Sequence, residues 1–132
     1  MLVKIDTKEK FHVITLTSPE LSANMTAELS QCLLPLLQND VKNVVFSLKG
    51  LERLDEQAAE NLAGLQQQFY ENNASFVFCE FPREIESWLD EKGLLELLNV
   101  TPTESEAWDI VQMEEIEREL LGDEEDGQSI TQ

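Results

Sequence analysis

The stretch Val44-Val45-Phe46-Ser47-Leu48-Lys49-Gly50-Leu51-Glu52-Arg53-Leu54-Asp55-Glu56-Gln57-Ala58 decides how the chain reads. Its first part is a nearly unbroken apolar run, the pattern of a strand covered on both faces and therefore central in its sheet. Beyond Gly50 the period changes. Ala58, Leu62, Leu65 and Phe69 recur at spacings of three and four, which is a helical core stripe. Asp55 stands where an N-cap is wanted and Asn72-Asn73 where the helix should end. Strand, connector and capped helix together predict one βα unit of a parallel sheet.

Towards the N-terminus, Leu2 to Ile5 and Phe11 to Leu16 are short β-branched and apolar runs separated by polar residues, and they read as a hairpin. Ser18 to Leu21 carries turn chemistry with Pro19. Met25, Leu29, Cys32, Leu33 and Leu36 then form a helical stripe that Pro35 interrupts late. Towards the C-terminus, Phe76 to Cys79 is a further buried strand. Pro82 fits the first turn of a third helix carrying Ile85, Trp88 and Leu89, and Gly93 falls where a left-handed residue should end it. Leu94, Leu95, Leu97 and Leu98 are expected to cover a core edge. Thr103 and Glu106 have capping-box spacing ahead of Ala107, Trp108, Ile110 and Val111, and the stripe runs on through Met113, Ile116 and Leu120. Core packing is the first reading of that extension, and dimer or partner contact the second.

The order of elements predicts an α/β sandwich: a mostly parallel mixed sheet of four or five strands with about four helices. One domain over residues 1–121, with an extended last helix, accounts for the chain up to an acidic and flexible tail over 122–132.

The 132 residues carry 27 acids against 9 bases, a formal charge of -18. Eight of those acids and only Arg118 among the bases follow Val111, so the rest is still acidic. Such a surface repels phosphate backbones, which argues against nucleic acid, and favours a partner with a basic face. No apolar stretch approaches the roughly 20 residues of a membrane helix, and Met1 to Lys10 is charged, so no membrane insertion and a cytoplasmic location are expected. Cys32 and Cys79 lie inside apolar runs at no metal-ligand spacing and read as buried free thiols. The single histidine, His12, has no neighbouring ligand set and is expected at an exposed or edge position. Ser47 is expected to be buried in its strand, and Ser75 and Thr103 to cap element starts. No metal, cofactor or catalytic residue is expected, and no glycine-rich phosphate loop occurs.

From Asn43 to Val111 the chain resembles a STAS domain, the anti-sigma factor antagonist family, whose central signature is an apolar strand, a connector and an Asp-Ser-Ser-Gly turn opening a helix. Here the strand is Val44 to Leu48, the connector Lys49 to Leu54 and the turn Asp55-Glu56-Gln57-Ala58. The segment Glu91 to Leu98 resembles the family's hydrophobic-x-x-x-Gly-Leu piece, and Thr103 to Ala107 its Thr-x-x-x-Ala helix start. The resemblance implies that the helix start at Asp55 docks a protein partner, classically an anti-sigma factor of the serine-kinase type. It also implies a switch by phosphorylation of the second serine, and that position is Gln57 here, which cannot accept a phosphoryl group.

Two readings of the turn stand side by side. In one, Asp55 is an N-cap, Leu54 and Ala59 form a hydrophobic staple, and Glu56 favours the positive helix end by roughly 0.3–1 kcal/mol. In the other, the same end is a docking surface made by Arg53, Asp55, Glu56, Gln57, Ala58 and Asn61 beside Leu51 and Glu52, with Glu56 a fixed charge where relatives carry a reversible one. The function expected is a non-enzymatic regulatory binding module. The alternative is a STAS subunit of a transporter ATPase or of a stress-signalling assembly, and the extended last helix leaves room for a homodimer.

Overall fold

The computed structural model describes the backbone of residues 2–131 and the side chains of residues 2–121. The tail expected over 122–132 lies outside the residues whose side chains are described.

The hairpin forms as β1 (Val3–Thr7) and β2 (Phe11–Leu16), antiparallel with Val3 opposite Leu16. From β2 onward the pairing is parallel, through β4 (Asn43–Ser47), β6 (Phe76–Cys79) and β7 (Val100–Thr101), giving the order β1-β2-β4-β6-β7. Every residue of β4 and β6 is buried, as their apolar runs predict. Helices α1 (Ala23–Leu33), α2 (Glu56–Glu71), α3 (Arg83–Glu91) and α4 (Glu104–Thr131) complete the chain.

Side chains alternate across the sheet and build two cores. Val44, Phe46, Phe76 and Phe78 meet Leu29, Leu62, Leu65, Phe69 and Leu89 on one face. Phe69 and Phe76 stack edge-on with ring centroids 4.9 Å apart, and each such buried ring contributes roughly 2–3 kcal/mol. On the other face, Phe11, Val13, Val45, Val77 and Cys79 pack under Ala107 and Val111 of α4. The helices carrying the sequence-expected turn and the extended last helix are therefore on opposite sides.

Several local expectations are corrected. Glu20–Leu21 is not only a turn: it is a strand, β3, paired in parallel with β5 (Arg53–Leu54). The first helix ends at Leu33, and Pro35 sits in a 3-10 turn over Leu34–Gln38; Cys32 lies off the buried face of that helix and is exposed. His12 is buried at 2% exposure between Thr7 Oγ1 and the Val41 carbonyl, each 2.8 Å from a ring nitrogen, because β2 is an interior strand. Pro82 is the N-cap of α3 rather than its first turn, Gly93 adopts φ +73°, and Asn73 turns at φ +61°. Leu97 is exposed, whereas Leu94 and Leu98 are buried. Ser75 is not a cap but a buried acceptor for Arg118 Nη1 at 3.1 Å. Thr103 does cap α4, accepting the Glu106 N–H at 3.1 Å. Met113, Ile116 and Leu120 point away from the core and are exposed.

Candidate functional site

The helix start at Asp55 is assembled by the small β3–β5 ribbon. Glu20 pairs with Arg53 and Leu21 with Leu54, so the chain leaves both strands at the same place and begins α1 and α2 side by side. Asp55 is extended at φ -90°, ψ 162°, and its Oδ1 accepts the Ala58 N–H at 2.7 Å, a full N-cap. Its Oδ2 accepts the Ala23 N–H at 3.3 Å, in the first turn of α1. The residue before that helix, Ser22, makes no side-chain cap bond. One carboxylate thus serves two helix N-termini, where the backbone partial charges are positive.

A second polar chain ties the two helices one turn further on. Gln57 Nε2 donates to Asn61 Oδ1 at 3.1 Å, Asn61 Nδ2 to Thr26 Oγ1 at 2.8 Å, and the Thr26 hydroxyl to the Ala23 carbonyl at 2.6 Å. Glu56 faces Lys92 at 3.6 Å and Arg53 faces Glu20 at 3.2 Å, both pairs well exposed and each worth well under about 1 kcal/mol. These contacts orient charges more than they stabilise the fold.

Of the residues expected at a docking surface, Arg53, Asp55, Glu56, Gln57, Asn61 and Glu52 are exposed and lie together at one end of the domain. Ala58 and Leu51 depart from that expectation. Both are buried in the core, because the first turn of α2 rolls Ala58 inward and Leu51 seals the connector, so neither side chain can reach a partner.

Beside this end lies a groove of about 510 Å³, lined by Leu21, Leu54, Ile85, Trp88, Arg53 and Asp55 among others. Its floor is apolar and its rim charged, a form suited to seating one apolar side chain of a protein ligand. Trp88, Thr26 and Lys92 were missed as site residues by sequence reasoning. Trp88 had a signal, since an aromatic in a helical stripe is partly surface by volume; Thr26 and Lys92 had none, because only tertiary folding brings them to α2. Among the described residues no three His, Cys, Asp or Glu side chains gather as metal ligands. Charged groups on the rim of the groove are committed to one another or to the backbone: Arg53 to Glu20, and Asp55 to the Ala58 and Ala23 N–H groups.

Comparisons agree with this architecture. The STAS domain family matches residues 3–107. Among solved structures, the chain is similar to an anti-sigma factor antagonist from Mycobacterium paratuberculosis, with TM-score 0.69 and 15% identity over 83% of this chain and 92% of that one. An anti-sigma-factor antagonist (STAS) domain protein from Planctomyces limnophilus gives TM-score 0.69 and 17% identity over 83% and 97%. The Bacillus cell fate determinant SpoIIAA in its phosphorylated form gives TM-score 0.59 and 16% identity over 83% and 98%. At such identities the likeness is one of fold. No curated protein matches the sequence.

Proposed function

The chain belongs to the STAS domain family, and on that premise we propose that it is a non-enzymatic regulatory module of the anti-sigma factor antagonist type, docking a protein partner through the start of α2. The partner proposed is an anti-sigma factor or a related regulator of the serine-kinase type. The observation that carries this reading is the double cap at Asp55. A helix start held by its own carboxylate, which also grips the neighbouring helix, is a rigid platform, and Glu56, Gln57, Asn61 and Arg53 stand exposed on it beside an apolar groove. Pre-organisation of this kind lowers the entropy lost on binding.

The switch differs from the one the family resemblance implies. Gln57 occupies the position of the phosphorylated serine and has no hydroxyl. Its amide is instead bonded to Asn61. Glu56 carries a standing charge in the first turn, so docking is constitutive at this position and is set by partner supply. A photo-crosslinking residue in place of Gln57 tests the surface in the native host, with Asp6 on the distant hairpin as control. Capture of an anti-sigma or kinase-type protein from Gln57, reduced and made less salt-dependent by Glu56→Lys, supports the reading. Capture from Asp6 alone, or yields that Glu56→Lys leaves unchanged at every salt concentration, overturns it.

A further inference from the structure

Helix α4 carries two apolar faces. Ala107 and Val111 are buried against the sheet, while Met113, Ile116 and Leu120, at spacings of three and four, share another face and are 59%, 57% and 59% exposed. Five of the seven large apolar side chains exposed among the described residues belong to this helix. A contiguous exposed stripe of this kind marks an interaction site more often than an accident of composition. The helix beneath it is well anchored. Tyr70 Oη donates to Glu114 at 2.7 Å, Asn43 Nδ2 to Glu115 at 3.0 Å, and Arg118 reaches Ser75 and Asn43 at 3.1 and 3.2 Å.

Charge decides what covers the stripe. Asp109, Glu117 and Glu119 are exposed around it. Arg118, the one base from Gln112 to Leu121, turns its guanidinium inward to Ser75 and Asn43, and nearby Lys10 is paired with Glu115 at 3.6 Å. A second copy laid along the stripe sets acids against acids in a chain of formal charge -18, which opposes self-pairing. A hollow of about 310 Å³ beside Ile116, lined also by Gln112, Glu115, Glu119 and Lys10, the last paired with Glu115, offers a seat for an incoming side chain. We propose that the outer face of α4 docks an amphipathic helix of a partner protein whose apolar stripe is flanked by lysine or arginine. This site is on the opposite side of the sheet from the α2 start and does not depend on the function proposed there.

Calorimetric titration of the full chain with synthetic helical peptides of about 18 residues tests the proposal. One peptide carries a leucine stripe flanked by lysine, a second the same stripe flanked by glutamate, and a third the lysines without the leucines. Only the first is expected to bind. Its affinity is expected to fall by about tenfold or more in the combined variant Met113→Gln, Ile116→Gln, Leu120→Gln, with the circular dichroism of the fold unchanged. The pair Glu117→Lys and Glu119→Lys is expected to transfer preference to the glutamate-flanked peptide. Binding of the lysine peptide to the glutamine variant at wild-type affinity overturns the proposal, as does failure of all three peptides to bind. Sedimentation of the chain alone provides a further arm: a dimer that the glutamine variant dissolves assigns the face to a second copy instead.

Discussion

Replacing Asp55 with alanine removes two interactions at once, and the structure sets the size of the loss. The 2.7 Å bond to the Ala58 N–H is a full cap, whose removal costs about 1 kcal/mol in a range of roughly 0.5–2. The longer 3.3 Å contact to Ala23 and the charge shared between two helix N-termini add about 0.5 kcal/mol. The expected destabilisation is about 1.5–2 kcal/mol, read as a urea midpoint lower by about 1 M at unchanged slope and a Tm lower by roughly 5–8 °C. Asp55→Asn keeps one oxygen to accept from Ala58 but sets an NH2 group where Oδ2 accepted from Ala23, and it loses the charge as well, so it should cost about 0.5–1 kcal/mol, less than alanine. Ser22→Ala is the discriminating control. By position Ser22 is the N-cap of α1, but its hydroxyl makes no cap bond, so its loss should lie within about 0.5 kcal/mol of zero. If Ser22→Ala proves as damaging as Asp55→Ala, or if Asp55→Ala is neutral, the shared cap is not what holds the two helix starts together.

Two ionisable groups give independent checks. Burial, then the Glu114 carboxylate that accepts its hydroxyl, raise the Tyr70 phenol above its ordinary value of 10.0, so the folded state holds its proton where the unfolded chain has lost it. Stability attributable to Tyr70 is therefore unaffected below about pH 10 and falls as pH rises beyond it. Tyr70 is the chain's only tyrosine, so phenolate absorbance reports it alone, and a midpoint at or below the ordinary value would contradict the burial described. Burial also pushes the Cys79 thiol up to about 12, whereas Cys32 is exposed. A thiol reagent near pH 8 should modify one cysteine per native chain and both after denaturation, and rapid modification of two in the native state would refute the placement of Cys79.

The central sheet was legible because β4 and β6 are apolar on both faces, a pattern with few alternatives, and because Asp55, Asn73 and Gly93 have local conformations that their residue types favour. What escaped the sequence has long-range causes. The pairing of Glu20–Leu21 with Arg53–Leu54 spans two residues on each side and has no periodicity to reveal it. His12 looks like an edge residue until β4 covers β2, and its two ring contacts come from separate segments. Cys32 shares the spacing of the α1 stripe, yet Thr26, Leu29 and Leu33 form the buried face of that helix and leave Cys32 exposed beside it. At the candidate site, the cap at Asp55 was readable from one residue and its helix, but its second bond to Ala23, and the inward turn of Ala58, depend on how α1 and α2 lie together.

The β3–β5 ribbon has a consequence for the order in which the domain assembles. Its halves are some thirty residues apart along the chain and contribute only two paired residues each, so the entropy of closing that loop is offset only once β2, β4 and the intervening helix are already in place. The recognition end is thus completed late in folding and opens early in local unfolding, while the sheet beneath persists. In hydrogen exchange, amides of Glu52, Arg53 and Ala23 should lose protection ahead of those in Val45 and Val77, giving the platform a lower threshold for release than the body that carries it.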